Sequence, residues 1–345
     1  MKASIDRKKQ LLTICSCVLL CLPVAAKAAE TAPVETTPAE TTPAEAASMP
    51  ETTVTNRAVS SLSVGTEMMS GDTTYQIGYP VTFDGETSGG YFPFSELEWP
   101  LDVVLGRIDG LAVFHDKWRL SGYFKMDLSD PDDEMKDSDW LTDLDPSRLD
   151  VYSESSIEDF SAFVINIDLS YIFVNKNGFV LYGGAGYQYQ DFSFDGALIT
   201  QYSPSGLPGF YFEGDGRVGI TYDIEYSIPY LLLGTGFGVG DKFSFDASFA
   251  FSPFASAEDE DHHLMREFGG KISKSDMDGT ALIFNASGKY NFTPRWFMLL
   301  GFQHTDIDVD GTMDQSYVET GYFLSNRVES ESKQTSVYLS LGANF

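Results

Sequence analysis

Cysteine is nearly absent: the 345 residues contain three, Cys15, Cys17 and Cys21, all within the first 21 positions. Everything beyond them is without disulfides, thiol nucleophiles or thiolate metal ligands. Positive charge is also scarce. Lys and Arg number 22 against 51 Asp and Glu, a formal net charge of −29, which opposes nucleic-acid binding and favours cationic partners. Histidine occurs four times, so imidazole chemistry is confined to very few positions. After Val24 no run approaches the roughly 18 to 20 apolar residues of a membrane-spanning helix. If the rest of the chain enters a membrane, it does so as strands.

The first 28 residues have the three parts of a secretory signal peptide: a basic start (Lys2, Arg7, Lys8, Lys9), an apolar run from Leu11 to Val24, and Ala26-Lys27-Ala28 before a cut at Ala29. Residues 29–56, with ETTPA twice and almost nothing large and apolar, read as a disordered Thr/Pro/Glu/Ala-rich linker. From 57 to 345 the composition turns to aromatic, β-branched and glycine residues, which read as one domain.

That domain alternates. In Phe163, Ile165, Ile167, Leu169, Tyr171 and Phe173 every second residue is large and apolar, with small or polar residues between. Leu282 to Phe292 and Val337 to Phe345 behave alike. Period two over about ten residues is the signature of a tilted membrane strand with one face to lipid. Tight turns at His115-Asp116-Lys117, Asn175 to Gly178, Gly238 to Lys242 and Thr293-Pro294-Arg295 alternate with long acidic segments near 80–94, 128–158, 196–216, 257–278 and 311–333. Four short turns and five long loops predict a ten-stranded antiparallel transmembrane β-barrel in a bacterial outer membrane, with its long loops extracellular. A soluble β-sandwich shares the period, but the signal peptide, the strand length and the aromatic C-terminus favour the barrel. Trp99, Trp118 and Trp296 read as strand or interface anchors.

Two of the long segments carry paired acids: Asp137 and Asp139 in Lys136 to Trp140, and Asp261 with His263 in Glu258 to His263. In extended chain, residues i and i+2 face the same way. One wall of a cleft would then offer an acid pair and the other an imidazole oriented by a carboxylate, a set able to activate water. The same acids also fit a solvated surface or loose Ca²⁺ binding, and His262-His263 fits zinc poorly, because neighbours on a strand face apart.

The chain resembles the omptins, the family of ten-stranded outer-membrane proteases, over nearly all of 57–345. The segments that carry the resemblance include Ser63 to Thr66, Ser70-Gly71, Ser95 to Trp99, Asp137-Ser138-Asp139-Trp140, Ala185 to Gln188, Pro229-Tyr230 and Asp259 to His263. The resemblance implies an endopeptidase that cleaves near basic residues by direct attack of a water. That water is activated between the Asp137–Asp139 pair and the Asp261–His263 pair, with Asp259 binding the P1 side chain and neither metal nor organic cofactor. Where many omptins carry a second specificity acid, this sequence has Tyr75, placed by the resemblance in substrate binding, where it could stack on a guanidinium. Omptins also bind lipopolysaccharide through basic and polar wall residues. Tyr189, Asp191 and Glu225 stand at those positions here, so lipopolysaccharide dependence is weakened. Cationic peptides or proteins and outer-membrane lipid are the expected partners, for a monomer without nucleic acid. The rival readings are a non-enzymatic adhesin or receptor on the same barrel, a lipid-modifying barrel enzyme, and a diffusive porin.

Overall fold

An alternating strand must bury one face and present the other outward, and here a sheet closed on itself satisfies every strand at once. The computed structural model describes residues 59–83, 86–141, 147–321 and 323–345. The expected signal peptide (1–28) and linker (29–56) lie outside the described residues. Thirteen strand segments follow in order: β1 Val59–Phe83, β2 Glu86–Pro100, β3 Val103–Phe114, β4 Trp118–Asp127, β5 Met135–Asp139, β6 Val151–Lys176, β7 Phe179–Tyr202, β8 Phe212–Glu213, β9 Val218–Val239, β10 Phe243–His263, β11 Lys271–Asn291, β12 Trp296–Tyr317 and β13 Phe323–Asn344.

The ring they close has ten strands, as expected. β2 and β3 both pair with β1 and make one interrupted strand, with Asp72 opposite Pro100 and Met69 opposite Val103. β4 and β5 both pair with β6 and make another. β8 is a two-residue addition to β7. All pairings are antiparallel, and β13 returns to β1 with Asn344 opposite Ser61, so no edge remains in the ring.

All four short turns are present. At Asn177-Gly178 both residues have positive φ, 54° and 80°, as a type I′ hairpin turn requires. His115 and Asp116 make a second such turn with φ of 53° and 55°, and the Lys117 amide donates to Phe114.

The strands rise well beyond a bilayer. β6 has 26 residues and β12 has 22, where about 9 to 11 cross the hydrocarbon. The segments that read as long loops are therefore mostly paired sheet with short irregular tips. On β12 the outward residues change from Leu300 and Phe302 to Asp306, Asp308 and Asp310, while Ile307, Val309 and Met313 stay buried inside. Outward acids made the sequence look like loop, yet the inward face continues the strand. The outward apolar residues of the lower halves, among them Leu62, Val64, Ile167, Leu231, Phe249 and Leu341, form the lipid-facing belt. Trp118 and Trp296 sit exposed at its short-turn rim, whereas Trp99 is wholly buried inside.

At mid-height the lumen is filled. Glu67 accepts from Arg107 Nη1 and from Lys125 Nζ, both at 2.6 Å, and Asp109 pairs with Arg107 at 2.7 Å. The Arg107 guanidinium lies between the rings of Tyr123 and Tyr338, 4.4 and 3.8 Å from their centroids. Tyr338 reaches this place because Gly301 has no side chain: a Cβ there would stand 2.1 Å from the ring.

Candidate active site

Strand periodicity builds the site at the end of the barrel away from the short turns. Along β10 the inward positions run Ala255, Ala257, Asp259, Asp261, His263. Two small residues leave room and three chemical groups follow at i, i+2 and i+4 on one face. Across the ring, β5 lies between β2 and β6, with Asp137 opposite Leu97 and Ser153, and Asp139 opposite Ser95 and Val151. Both pairs stand on strands, not on irregular loops, so the spacing that the sequence suggested is held by sheet hydrogen bonds.

Asp261 is fully buried, and its Oδ2 lies 3.1 Å from His263 Nε2. Burial alone would raise the Asp261 carboxyl, but His263, Lys271 and a hydroxyl from Tyr75 outweigh it and hold the group below its ordinary range. Burial pulls the His263 imidazole down, partly countered by Asp261, and Lys271 and Arg266 add to the lowering. The pair is thus an ionised carboxylate beside a neutral imidazole, the state of a general base. Burial and then the Asp139 charge push the Asp137 carboxyl well up, with Arg266 and Lys271 pulling the other way and Asp261 adding its own charge. Asp137 therefore feels charges from both walls, and its surroundings favour the protonated carboxyl.

Asp259 is 6% exposed. Tyr222 donates to its Oδ2 at 3.2 Å, while Oδ1 is buried without a hydrogen-bond partner. Burial pushes this carboxyl up to about 7, against the pull of Ser275 and Tyr222, and Asp261 contributes in the upward direction. Tyr75, which the resemblance places in substrate binding, stands beside this carboxylate row. It is fully buried, and its hydroxyl donates to Asp261 Oδ2 at 2.5 Å, because β1 aims it across the lumen at the carboxylate row. On the outer wall Asp191 stands directly opposite Glu225, and Tyr189 donates to Glu225.

Several members of the site carry no signal in the sequence. Lys271 lies opposite His263 on β11 and faces inward with it, and Arg266 comes from the turn between them. Trp99, Tyr222 and Phe194 form an aromatic layer against the acids, with Trp99 stacked on Tyr222 at 5.1 Å and 10°. Only the register could have disclosed Lys271. Among the described residues no group of three or more His, Cys, Asp or Glu is arranged to hold a metal.

A search of curated proteins by sequence returns no match. Among solved structures, the outer membrane protease OmpT from Escherichia coli superposes with a TM-score of 0.71 at 16% identity, over 84% of this chain and 98% of that one. Identity this low speaks for the fold alone. OprG from Pseudomonas aeruginosa (TM-score 0.34, 10% identity, 84% of this chain and 97% of that one) and the translocator domain of NalP from Neisseria meningitidis (0.36, 7%, 85% and 90%) score far lower. The model of the Omptin family matches residues 84–342, which takes in Asp137, Asp139, Asp259, Asp261 and His263 and begins after Tyr75. Matched over most of its length by that model and built on a ten-strand barrel, the chain belongs to the omptin family of outer-membrane proteases.

Proposed function

We propose that this protease cleaves peptides and proteins beside basic residues on the outer side of the membrane, by direct attack of a water held between Asp137–Asp139 and Asp261–His263. The observation that carries the reading is the buried Asp261 carboxylate 3.1 Å from His263 Nε2, on a wall whose charge reaches Asp137. Neutral His263 takes a proton from the water as it attacks the scissile carbonyl. Asp261 stabilises the imidazolium, which then returns the proton to the leaving amine. The Asp137–Asp139 pair, sharing a proton, hydrogen-bonds the water and steadies charge on the carbonyl oxygen. No acyl-enzyme forms. The barrel acts as a monomer without metal or organic cofactor. Its substrates are cationic, drawn by the acidic mouth. Asp191 faces Glu225 on the outer wall, and two carboxylates there oppose the binding of a lipid phosphate, which weakens dependence on lipopolysaccharide.

Asp259 is the P1 group in this reading. A buried carboxylate oxygen without a partner is costly, and a guanidinium or ammonium supplies what it lacks. Because the group titrates near 7, it is ionised above that pH and neutral below it, so cation binding weakens on acidification. The KM for a peptide with Arg at P1 is expected to rise as pH falls from 8.5 to 5.5, with a midpoint near 7 in the free protein, while an otherwise identical citrulline peptide shows no such rise. Asp259→Asn should raise the KM for Arg about tenfold or more at pH 8, the worth of a charged hydrogen bond. Parallel KM curves for the two peptides would remove Asp259 from P1 recognition.

A further inference from the structure

Two tyrosines, far apart in sequence, serve the carboxylates of β10 one each. Tyr75 on β1 reaches across the lumen to Asp261 Oδ2 at 2.5 Å, and Tyr222 on β9 donates to Asp259 Oδ2 at 3.2 Å. Both side chains are 0% exposed, and their rings lie 5.3 Å apart. Tyr222 is fixed in turn by Trp99, which also packs on Phe194 at 5.1 Å.

We infer that Tyr75 and Tyr222 are positioning residues that divide the acids of β10 by role, Tyr75 setting Asp261 for water activation and Tyr222 setting Asp259 for the substrate cation. The inference rests on the protease reading above and adds to it how two carboxylates, two residues apart on one strand, come to do different work.

Tyr75 donates to the same oxygen that faces His263, since both contacts fall on Asp261 Oδ2. A donor there fixes the carboxylate rotamer and withdraws charge from the contact with the imidazole. Without it, Asp261 holds a proton on His263 more strongly, and the base becomes harder to deprotonate. Burial and then Asp261 itself push the Tyr75 hydroxyl well above its ordinary range, so it remains a donor throughout the working pH range. Tyr222 is pushed the same way by burial and then Asp259. At Asp259 the donated bond favours the ionised form, the form that binds a cation. The two tyrosines thus act on different kinetic constants. A merely packed aromatic layer has no such property.

Phenylalanine keeps each ring and deletes only the hydroxyl, so Tyr75→Phe and Tyr222→Phe in the full-length protein, reconstituted in lipid, isolate the effect. Two readouts are taken across pH: kcat and KM for an Arg-P1 peptide, and the titration of the His263 ring by ¹⁵N NMR. Tyr75→Phe is expected to raise the His263 pKa by about one unit and to lower kcat about two- to fivefold at pH 6.5, the loss of neutral imidazole that such a shift produces, with KM unchanged. Tyr222→Phe is expected to leave the His263 titration in place, to raise KM at pH 7 about threefold or more, and to move its midpoint to higher pH. An unchanged His263 titration in Tyr75→Phe overturns the inference, as do equal shifts of kcat and KM in both variants, which would mark the rings as packing alone. A wild type that hydrolyses nothing sinks the protease reading, and the NMR titration still decides whether Tyr75 sets the imidazole.

Discussion

Replacing His263 by Ala will lower kcat/KM for an Arg-containing peptide by at least about 10²- to 10⁴-fold, the usual worth of a positioned general base, while the barrel folds as before. His263 is the last residue of β10, with 12% of its side chain exposed, so its removal opens no large core cavity. Asp261→Asn will be nearly as severe for a different reason. An amide is close in shape to the carboxylate, but it cannot stabilise an imidazolium, and where the analogous carboxylate of serine proteases is so changed the loss is about 10⁴-fold. Because the residues act as a unit, the double variant should lose little more than the worse single one. Initial rates on a quenched fluorescent peptide, with folding checked by heat-modifiable electrophoretic mobility, measure both effects. Losses that multiply in the double variant would separate Asp261 from His263 and contradict a shared role.

The second large effect concerns stability. Glu67 is 0% exposed and neutralises two buried cations, Arg107 and Lys125, each at 2.6 Å. Glu67→Ala leaves both ammonium-type charges in the lumen with Asp109 alone for Arg107. Breaking a buried pair by removing one partner costs about 3–5 kcal/mol, because the surviving charge has neither water nor counter-ion. Gln303, which accepts from Lys125 at 3.2 Å and from Arg107 at 3.4 Å, offsets part of this through a neutral acceptor. Urea unfolding of the lipid-reconstituted barrel should show the loss in its midpoint. A quadruple variant replacing Glu67, Arg107, Lys125 and Asp109 by apolar residues of similar volume should recover most of it, because no charge of the cluster is then left unpaired. Glu67→Ala at wild-type stability would mean that water reaches the cluster freely.

Both predictions draw on features that the sequence disclosed unequally. The lower halves of the strands were legible because lipid imposes one demand on every outward position: Ile165, Ile167 and Leu169 alternate with Val164, Asn166 and Asp168, and period two is plain. The Asn177-Gly178 turn was legible because only certain residues accept two consecutive left-handed conformations. Asp261 and His263 could be paired from the sequence because i, i+2 spacing needs no knowledge of the partner strands. The upper halves were obscured. Above the belt the outward face meets water, so Asp306, Asp308 and Asp310 look like loop although Ile307 and Val309 continue the inner row. Contacts across the ring were hidden altogether. Tyr75 reaches Asp261 over 186 residues of chain, and Lys271 meets His263 only through the β10–β11 register. The place of Tyr75 in substrate binding comes from the resemblance alone, and nothing in the sequence marks Glu67, Arg107 and Lys125 as partners.

Whether this barrel cuts peptides at the acid and imidazole walls can be measured on whole cells. Cells displaying the full chain, and cells displaying the His263→Ala variant at equal abundance, would be incubated with a mixed peptide library, and the new termini identified by mass spectrometry. Wild type is expected to generate termini beside Arg and Lys, and the variant almost none in the same time. Equal cleavage by both, or no new termini from either, would rule out water activation by His263.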